Sequence, residues 1–147
     1  MTNDEFKALC KLEKHFADTN IYLPTSGNKL DNSLAVFSNT TKDIFSLDMD
    51  RKGITLTKKK LQERHGNSNT IMIRLEIDCR PHMYADGHLS TRNHIHIFDE
   101  ENGNITYDLD GEYGKLFTDT NDFITVFYDF CRMCNIETTN LNVQGVI

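Results

Sequence analysis

The chain has no tryptophan, two prolines, four cysteines and no long apolar run. A bilayer span needs about 20 consecutive apolar residues, so no membrane segment is expected. The opening Met-Thr-Asn-Asp-Glu-Phe-Lys lacks both the basic and the apolar regions of a signal peptide, and the expectation is a cytoplasmic protein. In that compartment Cys10, Cys79, Cys131 and Cys134 stay reduced. Basic residues are also in short supply: 16 Lys and Arg stand against 22 Asp and Glu, for a net charge of −6. A general nucleic-acid binder shows the opposite bias, so no direct nucleic-acid partner is expected. At 147 residues the chain reads as one domain, 1–147, large enough to bury a core without disulfides.

What is present concentrates in Ile71–Phe98, which holds four of the six histidines. Ile71, Ile73, Leu75 and Ile77 alternate with Met72, Arg74, Glu76 and Asp78, the period-2 pattern of a half-buried strand. In a second run, His94, His96 and Phe98 face one way and Ile95 and Ile97 the other. If the isoleucine faces share one core, Arg74, Glu76, His94 and His96 share the opposite face. The Pro81/Gly87 loop between the runs is expected to bring Cys79, His82, Asp86 and His88 to the same end.

The remaining elements read in order. Residues 3–17 have the caps and apolar stripe of a helix (Phe6, Leu9, Cys10, Leu12, Phe16). Residues 20–32 form a loop. Short strands follow at 33–38 and 43–49, and a more polar third at 54–64 carries the basic cluster Lys58, Lys59, Lys60 and Arg64. After Phe98, Asn102-Gly103 marks a hairpin returning through Ile105–Leu109. A last helix begins near Asn121 or Asp122, with Phe123, Val126, Phe127, Phe130 and Cys134 on one face, and the tail 135–147 suits a final strand. The expected fold is α+β: an antiparallel meander of about six strands flanked by an N-terminal and a C-terminal helix.

The set Cys79-x2-His82-x11-His94-x-His96 offers a Cys/His complement suited to tetrahedral zinc. Glu76, Asp86 and His88 are the other candidates for a fourth ligand or for an orienting group. Cys131-x2-Cys134 lies near the C-terminal end of a Phe-rich helix and reads as core packing. Used catalytically, His82 or His94 would act as a base and Arg74 would hold a phosphate, the chemistry of a metal-dependent nuclease. His94-Ile-His96-Ile resembles the strand of histidine-triad hydrolases, but Phe98 stands where their third histidine would be. From Asp99 to Asp122, eight acidic residues face Lys115 alone, so a basic protein partner would meet Asp99, Glu100, Glu101, Asp108, Asp110 and Glu112.

Arg74-x-Glu76, His82, Asp86-Gly87 and His94-Ile-His96-Ile-Phe98, followed by the amphipathic stretch Asp122–Ile136, resemble an uncharacterised family of small bacterial and phage proteins. The resemblance spans roughly residues 55–136. Two positions depart from it: Asn93 stands where a proline is usual, and Asp78-Cys79 where small residues are usual, so Cys79 as a ligand is not carried over. Some such proteins look similar to phage-encoded anti-CRISPR proteins that block Cas9. The resemblance therefore implies a protein that binds and inhibits a type II CRISPR effector in the host cytoplasm, and the residues themselves add an acidic contact surface and a structural Zn2+ site at Cys79, His82, His94 and His96. The alternative is a metal-dependent nuclease or toxin of a mobile element that uses the histidine cluster.

Overall fold

A computed structural model describes residues 1–145. The first helix, α1 (Asn3–Lys11), starts at a capping box in which Thr2 and Glu5 satisfy each other's backbone amides. It ends six residues earlier than the apolar stripe suggested. The same spacing that puts Leu12 and Phe16 on a helical stripe also fits strand alternation, and strand pairing prevails: Lys14–Phe16 form β1, with Lys14 and Phe16 buried and His15 out. Lys14 Nζ donates to the carbonyls of Leu12 and Cys134 at 3.2 and 2.7 Å, and Phe16 stacks on Phe127 with ring centroids 5.9 Å apart.

The strands that follow are β2 (Asn20–Tyr22), β3 (Leu34–Ser38), β4 (Ile44–Asp50), β5 (Lys59–His65), β6 (Thr70–Ile77), β7 (His94–Asp99) and β8 (Gly103–Asp108). After a 3-10 turn (Glu112–Leu116) come α2 (Phe123–Met133), β9 (Ile136–Glu137) and β10 (Asn142–Gln144). The meander expected from sequence is β3 to β8, antiparallel throughout and in chain order. It is extended to eight strands by β1 and, parallel to β1, β9. A separate parallel ribbon pairs β2 with β10. The expected tail strand is thus β9 and β10, while the tail's apolar end, Val146 and Ile147, lies outside the described residues. No helix is long and apolar enough to cross a membrane among the described residues.

One face of the sheet carries α2. Asp122 caps that helix, accepting from the Thr125 amide, and Val126, Phe127, Phe130 and Cys131 bury against Leu47, Leu61, Leu75 and Ile95. Each fully buried side chain of this size contributes about 1.5–3 kcal/mol. A bulge opposite Glu63 and Arg64 departs from the simple alternation of β6. Its extra residue turns Met72 into the core beside Ile73, while Ile71, expected inside, is 43% exposed. The third strand also starts late. Residues 51–58 form a loop, and the basic cluster divides: Lys59 is buried, whereas Lys60 and Arg64 project from the far face.

Candidate metal centre

The far face is polar because the core pattern makes it so. Ile73 pairs with Ile97 and Leu75 with Ile95, so the residues between them, Arg74 with His96 and Glu76 with His94, are aligned across the β6–β7 ladder on the other side. There, one oxygen of Glu76, Oε2, lies 2.6 Å from His94 Nε2 and 2.7 Å from His96 Nε2. Its other oxygen faces Lys60 Nζ at 3.2 Å and Arg74 Nε at 3.9 Å. His94 is 1% exposed and His96 5%, with their rings edge to face at 5.0 Å.

The second nitrogen of each ring fixes its orientation. His94 Nδ1 lies 3.1 Å from the Thr91 carbonyl, which only accepts, so this nitrogen carries the proton. His96 Nδ1 lies 2.8 Å from the Thr106 hydroxyl, which can donate to it, and 3.2 Å from Asn104 Oδ1, which accepts. Each Nε2 meets the carboxylate oxygen at hydrogen-bond distance, as an Nε2–H donor would, and two imidazole nitrogens and a carboxylate oxygen converging in this way are also a ligand set for a cation. Ring N–H groups given to carbonyl and amide oxygens are also what metal-ligating histidines show. Glu76, His94 and His96 offer three ligand atoms within 4.8 Å of one another and can hold a metal ion. Burial pushes the Glu76 carboxyl up, but hydrogen bonds to His94 and His96, with Arg74 and Lys60 beside it, outweigh that and hold it well below the usual carboxylate range. The group is therefore ionised and ready to ligate throughout the physiological range.

A family model described as a family of unknown function matches residues 1–136. The chain belongs to this family, DUF6978. No curated protein and no solved structure matches it.

The remaining expected ligands sit apart from this group. Cys79 is buried, but its thiol donates to the carbonyls of Ile77 and Lys59 at 3.4 and 3.6 Å. The strand ends at Asp78, which adopts a left-handed φ of 51° and is clamped by Arg92 and the Thr57 hydroxyl. Burial, then the charge of Glu76, pushes the Cys79 thiol up, away from the thiolate a metal needs. His82 is exposed at the mouth of the centre, its ring 5.5 Å from that of His96. Partial burial and then the charges of His96 and His94 lower it below the ordinary 6.5. His88 and Asp86 pair with each other at 2.5 Å at the loop tip, where His88 stacks on Tyr84.

The loop from 79 to 93 is pinned down over the histidines. Ser90 accepts from the His82 amide at 2.7 Å and donates to the Thr91 carbonyl at 2.8 Å, and Asn93 accepts from the Asp78 amide at 2.8 Å. Asp108, expected to face a partner, accepts from the Thr91 amide and the Tyr84 hydroxyl. Asp99 accepts within its own hairpin from Asn102 and across to Asn3 of α1. Glu100, Glu101, Asp110 and Glu112 are exposed. Sequence reasoning missed the groups that orient the rings: Ser90, Thr91, Asn104 and Thr106. Strand alternation places Thr106 beside His96, but nothing in the sequence marks the Thr91 carbonyl.

Proposed function

We propose that the protein is a metal-dependent hydrolytic enzyme whose centre is a zinc ion held by Glu76, His94 and His96. The observation that carries this reading is the orientation of the two histidines, whose Nε2 atoms both converge on one Glu76 oxygen, three ligand atoms within 4.8 Å of one another, while His94 Nδ1 is committed to the Thr91 carbonyl. Three protein ligands are the number catalytic zinc sites use, and structural sites use four. A zinc ion in such a site supplies Lewis acidity and lowers the pKa of water. His82 stands at the mouth, is neutral near pH 7 and accepts a proton there. Arg74, whose buried Nε makes no hydrogen bond and lies 3.9 Å from Glu76, lines a cleft with His96 and supplies a guanidinium for an anion there.

The test is elemental analysis of purified protein with His94→Ala and Glu76→Gln beside the wild type. About one zinc per chain is expected in the wild type, with at least tenfold weaker retention in both variants. Wild-type protein free of transition metal refutes the reading.

A second reading has its own support. Glu100, Glu101, Asp110 and Glu112 are exposed near the edge strand β8, which also exposes Ile105 and Tyr107 at 39% and 38%. Such a surface suits a protein that acts by binding a basic partner, such as a type II CRISPR effector of the Cas9 kind, whose nucleic-acid channel is positively charged. Incubation with RNA and DNA plus divalent metals separates the two classes. A nuclease cleaves one of them, and an inhibitor that acts by binding cleaves neither.

A further inference from the structure

Beside the centre, between the loop 51–58 and the start of the loop after β6, lies a cleft of about 390 Å3. Glu76 and Lys60 are among its lining residues, so the cleft borders the carboxylate that faces the two histidines. Five cations line it, and two are already engaged: Lys60 with Glu76 at 3.2 Å, and Arg92 with Asp78 at 2.7 Å. Lys52, Lys58 and Arg80 have no acidic partner among the described residues. The Lys58 ammonium donates only to the Lys52 carbonyl, at 2.6 Å, which fixes it at the rim. Ile54, on the lip, is 99% exposed, against 43% for Ile71, the next most exposed isoleucine among the described residues.

Three unpaired cations around a cleft that borders a carboxylate–imidazole cluster call for an anion. We propose that this cleft binds the phosphate group of a small phosphate ester, presenting it to the centre formed by Glu76, His94 and His96. The assignment of the ligand to that centre rests on the metal-dependent reading above. Lys52, Lys58 and Arg80 supply multiple N–H donors to the phosphate oxygens, and such charge-assisted contacts are the strong ones. The apolar lip at Ile54 receives the organic part of the ester. The cleft's size suits a ligand of a few hundred cubic ångströms. A long polyanion is disfavoured, because the chain as a whole carries −6 and the surface beyond β7 is acidic.

The experiment uses the full-length chain stripped of metal, titrated calorimetrically at low salt with inorganic phosphate, AMP, adenosine and a ten-nucleotide single strand. Phosphate and AMP are expected to bind, adenosine is not, and the oligonucleotide is expected to bind no more tightly than AMP. Lys52→Gln/Lys58→Gln/Arg80→Gln, three substitutions on side chains that hold no buried contact, weakens AMP binding by roughly tenfold with an unchanged melting temperature. AMP affinity is read on metal-free wild-type protein and metal content by elemental analysis, so loss of the metal reading and loss of this one register separately. Failure of the wild type to bind phosphate or AMP overturns the proposal, as does unaltered AMP affinity in the triple variant. Tighter binding of the oligonucleotide than of AMP overturns the small-ester form and assigns the cleft to a strand.

Discussion

Glu63 stands on the core side of β5, opposite Ile73, with 1% of its surface exposed and no N–H or O–H group meeting either carboxylate oxygen. Burial raises its carboxyl from the ordinary 4.5 to about 7; the Lys14 ammonium and the adjacent Cys134 thiol oppose the rise without cancelling it. A carboxyl raised in the folded state holds its proton there while the unfolded chain has already released it. Its contribution is therefore intact below about pH 4.5, erodes as pH rises toward 7, and is fully lost above. At about 1.4 kcal/mol per pH unit, the penalty at neutral pH is about 3 kcal/mol. Glu63→Gln removes the titration and keeps the shape. Urea melts of both proteins should show the wild type losing roughly 2–3 kcal/mol more than the variant between pH 5 and pH 8. Asp43, held low by the Thr41 hydroxyl and by His65, contributes only to changes at lower pH. His82 titrates alike in both proteins and drops out of the comparison. Parallel stability curves for the two proteins would refute the account and place Glu63 in contact with an unrecognised partner.

Burial pushes the Cys10 thiol up to about 11, and raises Cys131 and Cys134 further still, with the Glu63 charge adding to each. At pH 8 about one part in a thousand of Cys10 is thiolate, so Ellman's reagent should label the native protein slowly and all four cysteines rapidly in denaturant. Fast native labelling of two cysteines would contradict the packed position of the Cys131/Cys134 pair. Gly114 passes so close to the Leu109 carbonyl that an added Cβ would overlap it. Gly114→Ala should destabilise the protein by about 2 kcal/mol or more, read as a shift in the urea midpoint, and an unchanged midpoint would show that the turn yields freely.

The meander and its polar face were legible because alternation is a local property: Ile73, Leu75, Ile77, Ile95 and Ile97 declare one face, and Glu76, His94 and His96 follow on the other. Three features were not. Lys14–Phe16 fits helix and strand equally, and the choice is made by β3 and β9, which lie far away in sequence. Met72 and Ile71 exchange places because of a bulge, whose origin is the pairing with Glu63 and Arg64 and not the composition of β6. Cys79 looked like a ligand because it is three residues from His82, yet the left-handed turn at Asp78 and the clamp from Arg92 send its thiol to main-chain carbonyls. Spacing identifies ligands only where the backbone between them is regular, and here it is not.

The register that builds the centre needs two separate supports. A slip of β7 by one residue would turn His94 and His96 into the core and bring Ile95 and Ile97 out, a loss of several buried side chains that the apolar pattern forbids. A slip by two keeps every face correct and would still separate Glu76 from its present neighbours, so the core pattern alone does not decide it. The connection from β6 to β7 is too long for turn geometry to fix the pairing. What excludes the second slip is the far end of the loop: Asn93 takes the Asp78 amide on its side chain and the Leu109 amide on its carbonyl, while the Cys79 amide bonds the Arg92 carbonyl. Asn93 thus ties β6, β7 and β8 together one residue before the first histidine. A proline there has the carbonyl but no side chain to take the Asp78 amide, and would leave the alignment of Glu76 with His94 and His96 to the loop's remaining bonds.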